Sequence, residues 1–227
     1  MKIFIDFDDV LFNTRQFSAY LKGFFAEEGI NPELFQKYYY DPADQATSSV
    51  RLFDPEGLFA RLEKYEKIDT SKIRHDFETK LQNLERFVFT DVVGFLKVMG
   101  KENLQLVSFG LSNWQQIKIK GSEVSKLVEN FIIAEKPKAQ EIGQLLAQMK
   151  LGVKEKIFFI DDRAEHLEDV KKAFPQIITI LLCRPDGRYC DQQNEFCDWR
   201  VSDLKQTQEI IESCNHPIIQ TSNQLSI

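Results

Sequence analysis

Apolar residues form two kinds of pattern along the chain. Short continuous runs of Ile, Leu, Val and Phe predict strands buried on both faces of a sheet, because half-exposed strands alternate apolar and polar residues. Elsewhere, apolar residues recur every three or four positions, which predicts amphipathic helices. The predicted strands cover residues 2–5, 104–108, 131–134, 156–160, 177–182 and 199–201.

Residues 15–87 show only the helical pattern. The first predicted helix in this part has one apolar face, made of Phe17, Tyr20, Leu21, Phe24 and Phe25. Similar spacing recurs within residues 34–39, 58–65 and 73–84, so we expect an all-helical unit. The polar segment at residues 40–49 predicts a loop, in which no spacing selects the residues that would contact a substrate.

From about residue 88, predicted helices and strands alternate, which is typical of a parallel sheet with crossover helices. The simplest organisation is an α/β domain built from residues 1–14 and 88–213. It would be interrupted by a helical cap at residues 15–87 and followed by a polar tail at residues 214–227. Because the cap leaves the sheet just past the first strand, we expect it to cover that strand's carboxyl end and exclude water.

The bulk composition limits the possible partners. The chain has 227 residues and a net charge of −6, which argues against a general nucleic-acid-binding protein. No apolar run is long enough to cross a membrane, and no leader pattern is recognisable at the N-terminus. We therefore expect a cytoplasmic protein with four reduced cysteines, and the pattern gives no indication of oligomeric state.

Carboxylates follow the first predicted strand directly. Asp6, Asp8 and Asp9 stand between the apolar run at residues 2–5 and the apolar run at residues 10–12. On an extended backbone, Asp6 and Asp8 point the same way, so their charges repel unless a cation or a shared proton compensates. This arrangement indicates a chemical site and not merely a solvated acidic turn.

The carboxyl ends of parallel strands lie along one edge of a sheet, so residues at those ends should meet. The residues at these ends are Asp6 and Asp8, then Ser108, then Lys136, and finally Asp161 and Asp162. Carboxylates are suitable ligands for magnesium, and the hydroxyl and ammonium groups can donate to phosphoryl oxygens. The sequence therefore predicts a magnesium and phosphate site.

With these residues at its strand ends, the chain resembles the haloacid dehalogenase (HAD) superfamily of phosphohydrolases. Residues 6–11, with the letters DFDDVL, resemble its first motif, D-x-D-x-[TV]-L. Ser108, Lys136 and the pair Asp161-Asp162 resemble the second, third and fourth motifs, although Lys138 could replace Lys136. The resemblance implies a Rossmann-like parallel sheet in strand order 5-4-1-2-3 with a C1-type helical cap.

The resemblance also implies a role for each motif residue. Asp6 would be the nucleophile that forms an aspartyl-phosphate, and Asp8 would be the general acid and base. Mg²⁺ would be held by the Asp6 and Asp161 carboxylates and the Asp8 carbonyl, with Asp162 supporting the metal. Ser108 and Lys136 would stabilise charge on the phosphoryl oxygens. The predicted function is a magnesium-dependent phosphatase acting on a small phosphorylated metabolite.

Other functions remain open from the sequence. A phosphomutase would keep the same motif residues, and a catalytically idle relative could still bind phosphate. A dehalogenase would have no use for a second acid at Asp8. A phosphorylation-receiver domain is disfavoured because a further carboxylate pair follows Lys136 in this chain.

Overall fold

The protein is described by a computed structural model covering residues 1–39, 52–149, 152 and 155–215. The predicted loop at residues 40–49 and residues 216–227 of the predicted polar tail lie outside the described residues. None of the helices within the described ranges is both long and apolar enough to cross a membrane.

The centre of the fold is a parallel sheet of six strands. Their order across the sheet is β3-β2-β1-β4-β5-β6, with the register between β1 and β4 running from Lys2 opposite Ile157 to Ile5 opposite Ile160. This confirms the predicted Rossmann-like order 5-4-1-2-3 and adds β6 beyond β5. The strands are β1 (Lys2–Ile5), β2 (Leu104–Phe109), β3 (Asn130–Ala134), β4 (Ile157–Asp161), β5 (Ile178–Leu182) and β6 (Trp199–Val201).

Helices cover both faces of this sheet. Side chains of β1 alternate between two apolar clusters: Ile3 and Ile5 belong to one, and Phe4 belongs to the other. The helices in the described part of the chain are α1 (Thr14–Glu27), α2 (Pro32–Tyr39), α3 (Pro55–Arg61), α4 (Ser71–Lys80), α5 (Val92–Met99), α6 (Ser112–Gly121), α7 (Lys138–Gln148), α8 (Ala164–Ala173) and α9 (Leu204–Asn215). The cluster around Phe4 is closed by α7 and α8, and the opposite cluster by α5, α6 and α9.

Helices α1 to α4 form the insert between β1 and β2, and aromatic rings hold it together. The ring of Phe25 lies 4.9 Å from that of Phe35, 5.8 Å from Phe59 and 5.5 Å from Phe77, measured between centroids. A π-helical turn at Leu62–Glu66 follows α3. The apolar cluster of the insert continues into the Ile3 face of the sheet. The predicted boundaries between the α/β domain and the helical cap, at residues 14/15 and 87/88, therefore stay a prediction.

Candidate active site

A group of buried carboxylates gathers where β1 and β4 end. Asp6 comes directly after β1, Asp161 is the last residue of β4, and Asp162 follows it. One carboxylate oxygen of each residue lies within 4.8 Å of the oxygens of the other two, and all three residues are buried. The two strands pair in parallel, so the sheet itself brings together residues that are far apart in sequence.

A lysine lies inside this acidic group. Lys138 Nζ donates to Asp6 Oδ1 and to Asp161 Oδ2, both at 2.6 Å, and the Lys138 side chain is 1% exposed. Of the two lysines that the sequence offered, Lys136 is exposed and Lys138 is the one that contacts the carboxylates. Lys138 is the first residue of α7, which begins right after Pro137, and its side chain enters the acidic group. Lys136 precedes that turn and stays in solvent.

Asp8 has a separate set of partners. Its Oδ1 accepts a hydrogen bond from Thr14 Oγ1 at 2.6 Å, and its Oδ2 accepts one from Gln115 Nε2 at 2.7 Å. Lys118 Nζ donates to both carboxylate oxygens, at 2.7 and 2.8 Å. Three side chains from α1 and α6 therefore fix this carboxylate in one orientation.

Ser108 occupies the end of β2, as predicted, but it is fully buried. Its hydroxyl accepts a hydrogen bond from Gln115 Nε2 at 3.0 Å. Within the described part of the chain, Gln115 lines the active-site cavity and Ser108 does not. Contact between Ser108 and a phosphoryl group therefore stays a prediction.

The two motif aspartates after β4 differ in their surroundings. Asp161 Oδ1 accepts from the Arg163 backbone N–H at 3.0 Å and lies 3.1 Å from His166 Nδ1, while its Oδ2 is held by Lys138. Asp162 Oδ2 is buried and has no hydrogen-bond partner among the described residues. A buried carboxylate oxygen without a donor fits a cation site, because its desolvation is otherwise uncompensated.

The same contacts shift the pKa values of these carboxyl groups in opposite directions. Burial raises the pKa of Asp6 to about 6, with Lys138 opposing and Asp161 supporting the rise. Burial and the neighbouring carboxylates raise the pKa of Asp162 well above its usual range. Burial would also raise the pKa of Asp8, but Lys118, Arg188 and Gln115 outweigh it and hold that pKa below its usual range. Burial would likewise raise the pKa of Asp161, but Lys138 outweighs it and holds that pKa below its usual range.

Asp9 completes the acidic turn with a left-handed backbone, at φ 57°. This conformation is uncommon for residues other than glycine and carries a backbone cost. Asp9 is buried, and its Oδ2 accepts a hydrogen bond from Arg188 Nε at 2.5 Å. Arg188 thus ties the loop after β5 to the turn after β1.

A cavity of about 360 Å³ opens over these groups. Asp6, Asp8, Lys138 and Asp162 line its polar end. Its other lining residues include the charged side chains of Lys118, Arg163, Glu165 and Arg188. They also include an apolar group made of Phe17, Leu21, Phe53, Trp114 and Leu111. Three of the predicted site residues, Lys136, Ser108 and Asp161, do not line the cavity, and Asp161 is fully buried.

Sequence reasoning missed several groups at this site. Gln115 and Lys118 stand three residues apart on α6, so they share one helix face. That helix begins just after β2, so two polar residues spaced three apart on it are the sequence signal that could have identified them. His166 lies at the start of α8, where no pattern marks it, yet its Nδ1 contacts Asp161. Arg188 follows β5 in a loop, where no pattern marked it.

No family model matches the sequence, and no curated protein matches it either. Solved structures do match. A haloacid dehalogenase-like hydrolase of Burkholderia xenovorans has a TM-score of 0.72 and 17% identity over 94% of this chain and 97% of that one. A HAD-hydrolase of Bacillus subtilis, solved with bound magnesium, has a TM-score of 0.62 and 13% identity over 92% of this chain and 97% of that one.

The similar structures also include enzymes of another chemistry. The L-2-haloacid dehalogenase of Xanthobacter autotrophicus, solved with chloropropionic acid covalently bound, has a TM-score of 0.59 and 11% identity. That match covers 93% of this chain and 98% of the dehalogenase. These likenesses span almost the whole length of both chains and include the helical insert as well as the sheet. The chain therefore has the fold of the haloacid dehalogenase-like hydrolases.

Proposed function

We propose that this protein is a magnesium-dependent phosphatase that hydrolyses a small phosphorylated metabolite through an aspartyl-phosphate on Asp6. One observation carries the proposal: the buried carboxylates of Asp6, Asp161 and Asp162 surround a single point, with the second acid of the motif, Asp8, at the same cavity. Such a group of hard oxygen ligands suits Mg²⁺ and a phosphoryl group.

The carboxylate oxygens present fit magnesium, but Asp162 replaces Asp161 among the expected metal ligands. Asp162 Oδ2 has no donor among the described residues, and Asp6 Oδ2 likewise accepts no hydrogen bond there. Both oxygens of Asp161 are already engaged by Lys138, Arg163 and His166. We therefore assign the metal to Asp6, Asp162 and the backbone carbonyl of Asp8, with Asp161 holding Lys138. When bound, Mg²⁺ would neutralise charge on the phosphoryl group.

Asp6 is suited to act as the nucleophile. Lys138 Nζ fixes one carboxylate oxygen and so holds the group in a single orientation. With a pKa of about 6, Asp6 is mostly ionised at neutral pH. A carboxylate oxygen of Asp6 forms a bond to phosphorus as the ester P–O bond breaks, and water then hydrolyses the aspartyl-phosphate. Covalent catalysis of this kind replaces one difficult displacement by two easier ones.

Asp8 is best suited to the second half of the reaction. Its hydrogen-bond donors stabilise the ionised carboxylate, so at neutral pH it can accept a proton from the attacking water. Donation of a proton to the leaving oxygen requires that Asp8 first take a proton from solvent water, and Lys118 opposes this. That proton would pass from Asp8 to the leaving oxygen as the ester P–O bond breaks.

A dehalogenase is the main competitor, since a dehalogenase shares the fold. Displacement of a halide needs no acid, because halide leaves without a proton. In that reaction Asp8, held by Thr14, Gln115 and Lys118, would serve only as a base in hydrolysis of the ester intermediate, whereas phosphoryl transfer also uses it as the acid for the leaving oxygen. This argues for phosphoryl transfer. A phosphomutase and a phosphate-binding protein without turnover are the alternatives that keep the same residues.

The test is a turnover screen of the purified protein. A panel of phosphorylated sugars, nucleotides and organic acids, together with 2-chloropropionate, is assayed with Mg²⁺ and with EDTA. We expect phosphate release that requires Mg²⁺, is abolished by Asp6→Asn and is unchanged by Asp186→Asn in an exposed loop. Chloride release without phosphate release would establish the dehalogenase, and conversion of one sugar phosphate into another would establish the mutase.

A further inference from the structure

A second cavity, of about 530 Å³, lies beside the active site. We call it the arginine cavity, because its lining includes Arg15, Arg184, Arg188 and Arg200. Arg184 and Arg188 belong to the loop after β5, Arg200 lies in β6, and Arg15 lies in the first turn of α1. The cavity is therefore built at the carboxyl edge of the sheet, as the active site is.

The arginine cavity carries an excess of positive charge. Asp91 pairs with Arg184, and Asp9 pairs with Arg188. Arg15 and Arg200 have no ionic partner among the described residues. No carboxylate lines the cavity within the described part of the chain. The acidic residues nearest in sequence, Asp186, Asp191 and Asp203, are not among its lining residues, and Asp191 is paired with Arg163. Positive charges gathered in a concave surface with low-dielectric walls attract anions strongly.

Arg184 is the one of the four guanidinium groups whose three nitrogens all donate to described residues. Arg184 donates to the Val10 carbonyl oxygen and to both oxygens of Asp91. Arg188 donates to Asp9 through Nε alone, and Arg200 donates through Nη2 to the Cys190 sulfur, which is a weak acceptor. Arg15 has no hydrogen bond or ion pair with any described side chain.

We propose that the arginine cavity binds a phosphate-rich anion, a chain or cluster of at least two phosphoryl groups, at a site separate from the catalytic carboxylates. Guanidinium groups offer forked pairs of N–H donors that match phosphate oxygens. Three such groups with unused donors supply more donors than a single phosphate can accept. The cavity volume falls in the range of small-molecule sites, so a ligand larger than one phosphate fits.

The arginine cavity communicates with the active site through Arg188. Arg188 and Tyr189 line both cavities. Arg188 also holds Asp9, next to Asp8 in sequence. A ligand bound to the free Nη atoms of Arg188 would therefore contact a residue that orders the acidic turn.

The first test measures binding of inorganic tripolyphosphate by isothermal titration calorimetry in EDTA, where no turnover occurs. We expect one binding event in the wild type, weakened at least about tenfold in the double variant Arg15→Gln/Arg200→Gln. Both residues are exposed and lie outside the active-site cavity, so folding and turnover should be retained. The control Arg86→Gln/Lys97→Gln removes the same charge from exposed positions elsewhere and should bind like the wild type.

The second test uses Cys190, which lines the arginine cavity and is exposed. Tripolyphosphate should slow alkylation of Cys190 by neutral iodoacetamide at least about threefold, while Cys214, at the far end of α9, reacts unchanged. Absence of binding, equal weakening in the control pair, or unprotected Cys190 would each overturn the proposal. None of these readouts requires phosphatase activity, so they are independent of the proposed function.

Discussion

Lys118 binds both carboxylate oxygens of Asp8, across a separation of 110 residues in sequence. The Lys118 side chain is 4% exposed and that of Asp8 is 17% exposed, so the pair is largely removed from water. Burial lowers the pKa of the Lys118 ammonium, while Asp8 counteracts this shift. The pair thus fixes both the position and the charge of the second aspartate in the motif.

Loss of Lys118 should impair catalysis through Asp8. We expect Lys118→Met to lower kcat about 100-fold, because general acid and base catalysis contributes this much or more. The loss should fall mainly on hydrolysis of the aspartyl-phosphate, where Asp8 must be ionised to accept a proton from water, and less on its formation; burst and steady-state phases of 4-nitrophenyl phosphate turnover separate the two steps. Lys118→Arg should restore part of the loss, and Lys120→Met, on an exposed face of the same helix, serves as the control. Equal losses in both steps would indicate a purely structural role for Lys118.

The two candidate lysines before and at the start of α7 should behave very differently. Lys138→Met removes the cation between Asp6 and Asp161 and should lower the free energy of unfolding by about 3–5 kcal/mol at pH 8 without magnesium. Lys136→Met changes an exposed residue and should stay within about 0.5 kcal/mol of the wild type. Urea denaturation measures both. A large effect of Lys136→Met would contradict the assignment.

Asp162 should matter for magnesium and not for folding. Asp162→Asn removes a buried charge that Asp161, Asp6 and Asp9 repel, so it should raise Tm of the metal-free protein at pH 8. The same change should weaken Mg²⁺ binding at least about tenfold. Asp161→Asn should instead lower Tm, since Lys138 and His166 lose a partner. Thermal denaturation with and without Mg²⁺ separates the two roles, and a fall in the metal-free Tm of Asp162→Asn would refute this assignment.

The raised pKa of Asp6 predicts a pH dependence with a definite sign. Below about pH 6 the nucleophile is protonated in the folded protein, so kcat/KM at low Mg²⁺ should fall as the pH drops through 6. Mg²⁺ competes with that proton, so higher Mg²⁺ should shift the fall to lower pH. The Asp6 contribution to metal-free stability is present at low pH and is lost as the pH rises from about 4 to about 6. A pH profile that does not move with Mg²⁺ would contradict this.

Much of the fold could be predicted because it depends on local patterns. Apolar runs at residues 2–5 and 156–160 indicated buried strands, and alternation with helices indicated a parallel sheet. Once the sheet is parallel, Asp6 and Asp161 must lie at the same edge. Their proximity followed from topology and needed no knowledge of side-chain packing.

The details of the site depend on where each side chain points, and sequence spacing does not determine this. Lys136 and Lys138 are two residues apart, but only Lys138 begins α7 with its ammonium among the carboxylates. Asp161 and Asp162 are adjacent, yet the pleat of β4 directs them to different surroundings, and only Asp162 retains an oxygen without a donor.

By itself, the amino-acid sequence determined the parallel sheet, the helical insert and the carboxylates at the strand ends, since burial of apolar runs and strand direction leave few alternatives. Only the tertiary structure decided that Lys138 neutralises Asp6, that Lys118 and Gln115 hold Asp8, and that four arginines surround one cavity. Such pairings join residues distant in sequence, and the packing of helices onto the sheet selects them.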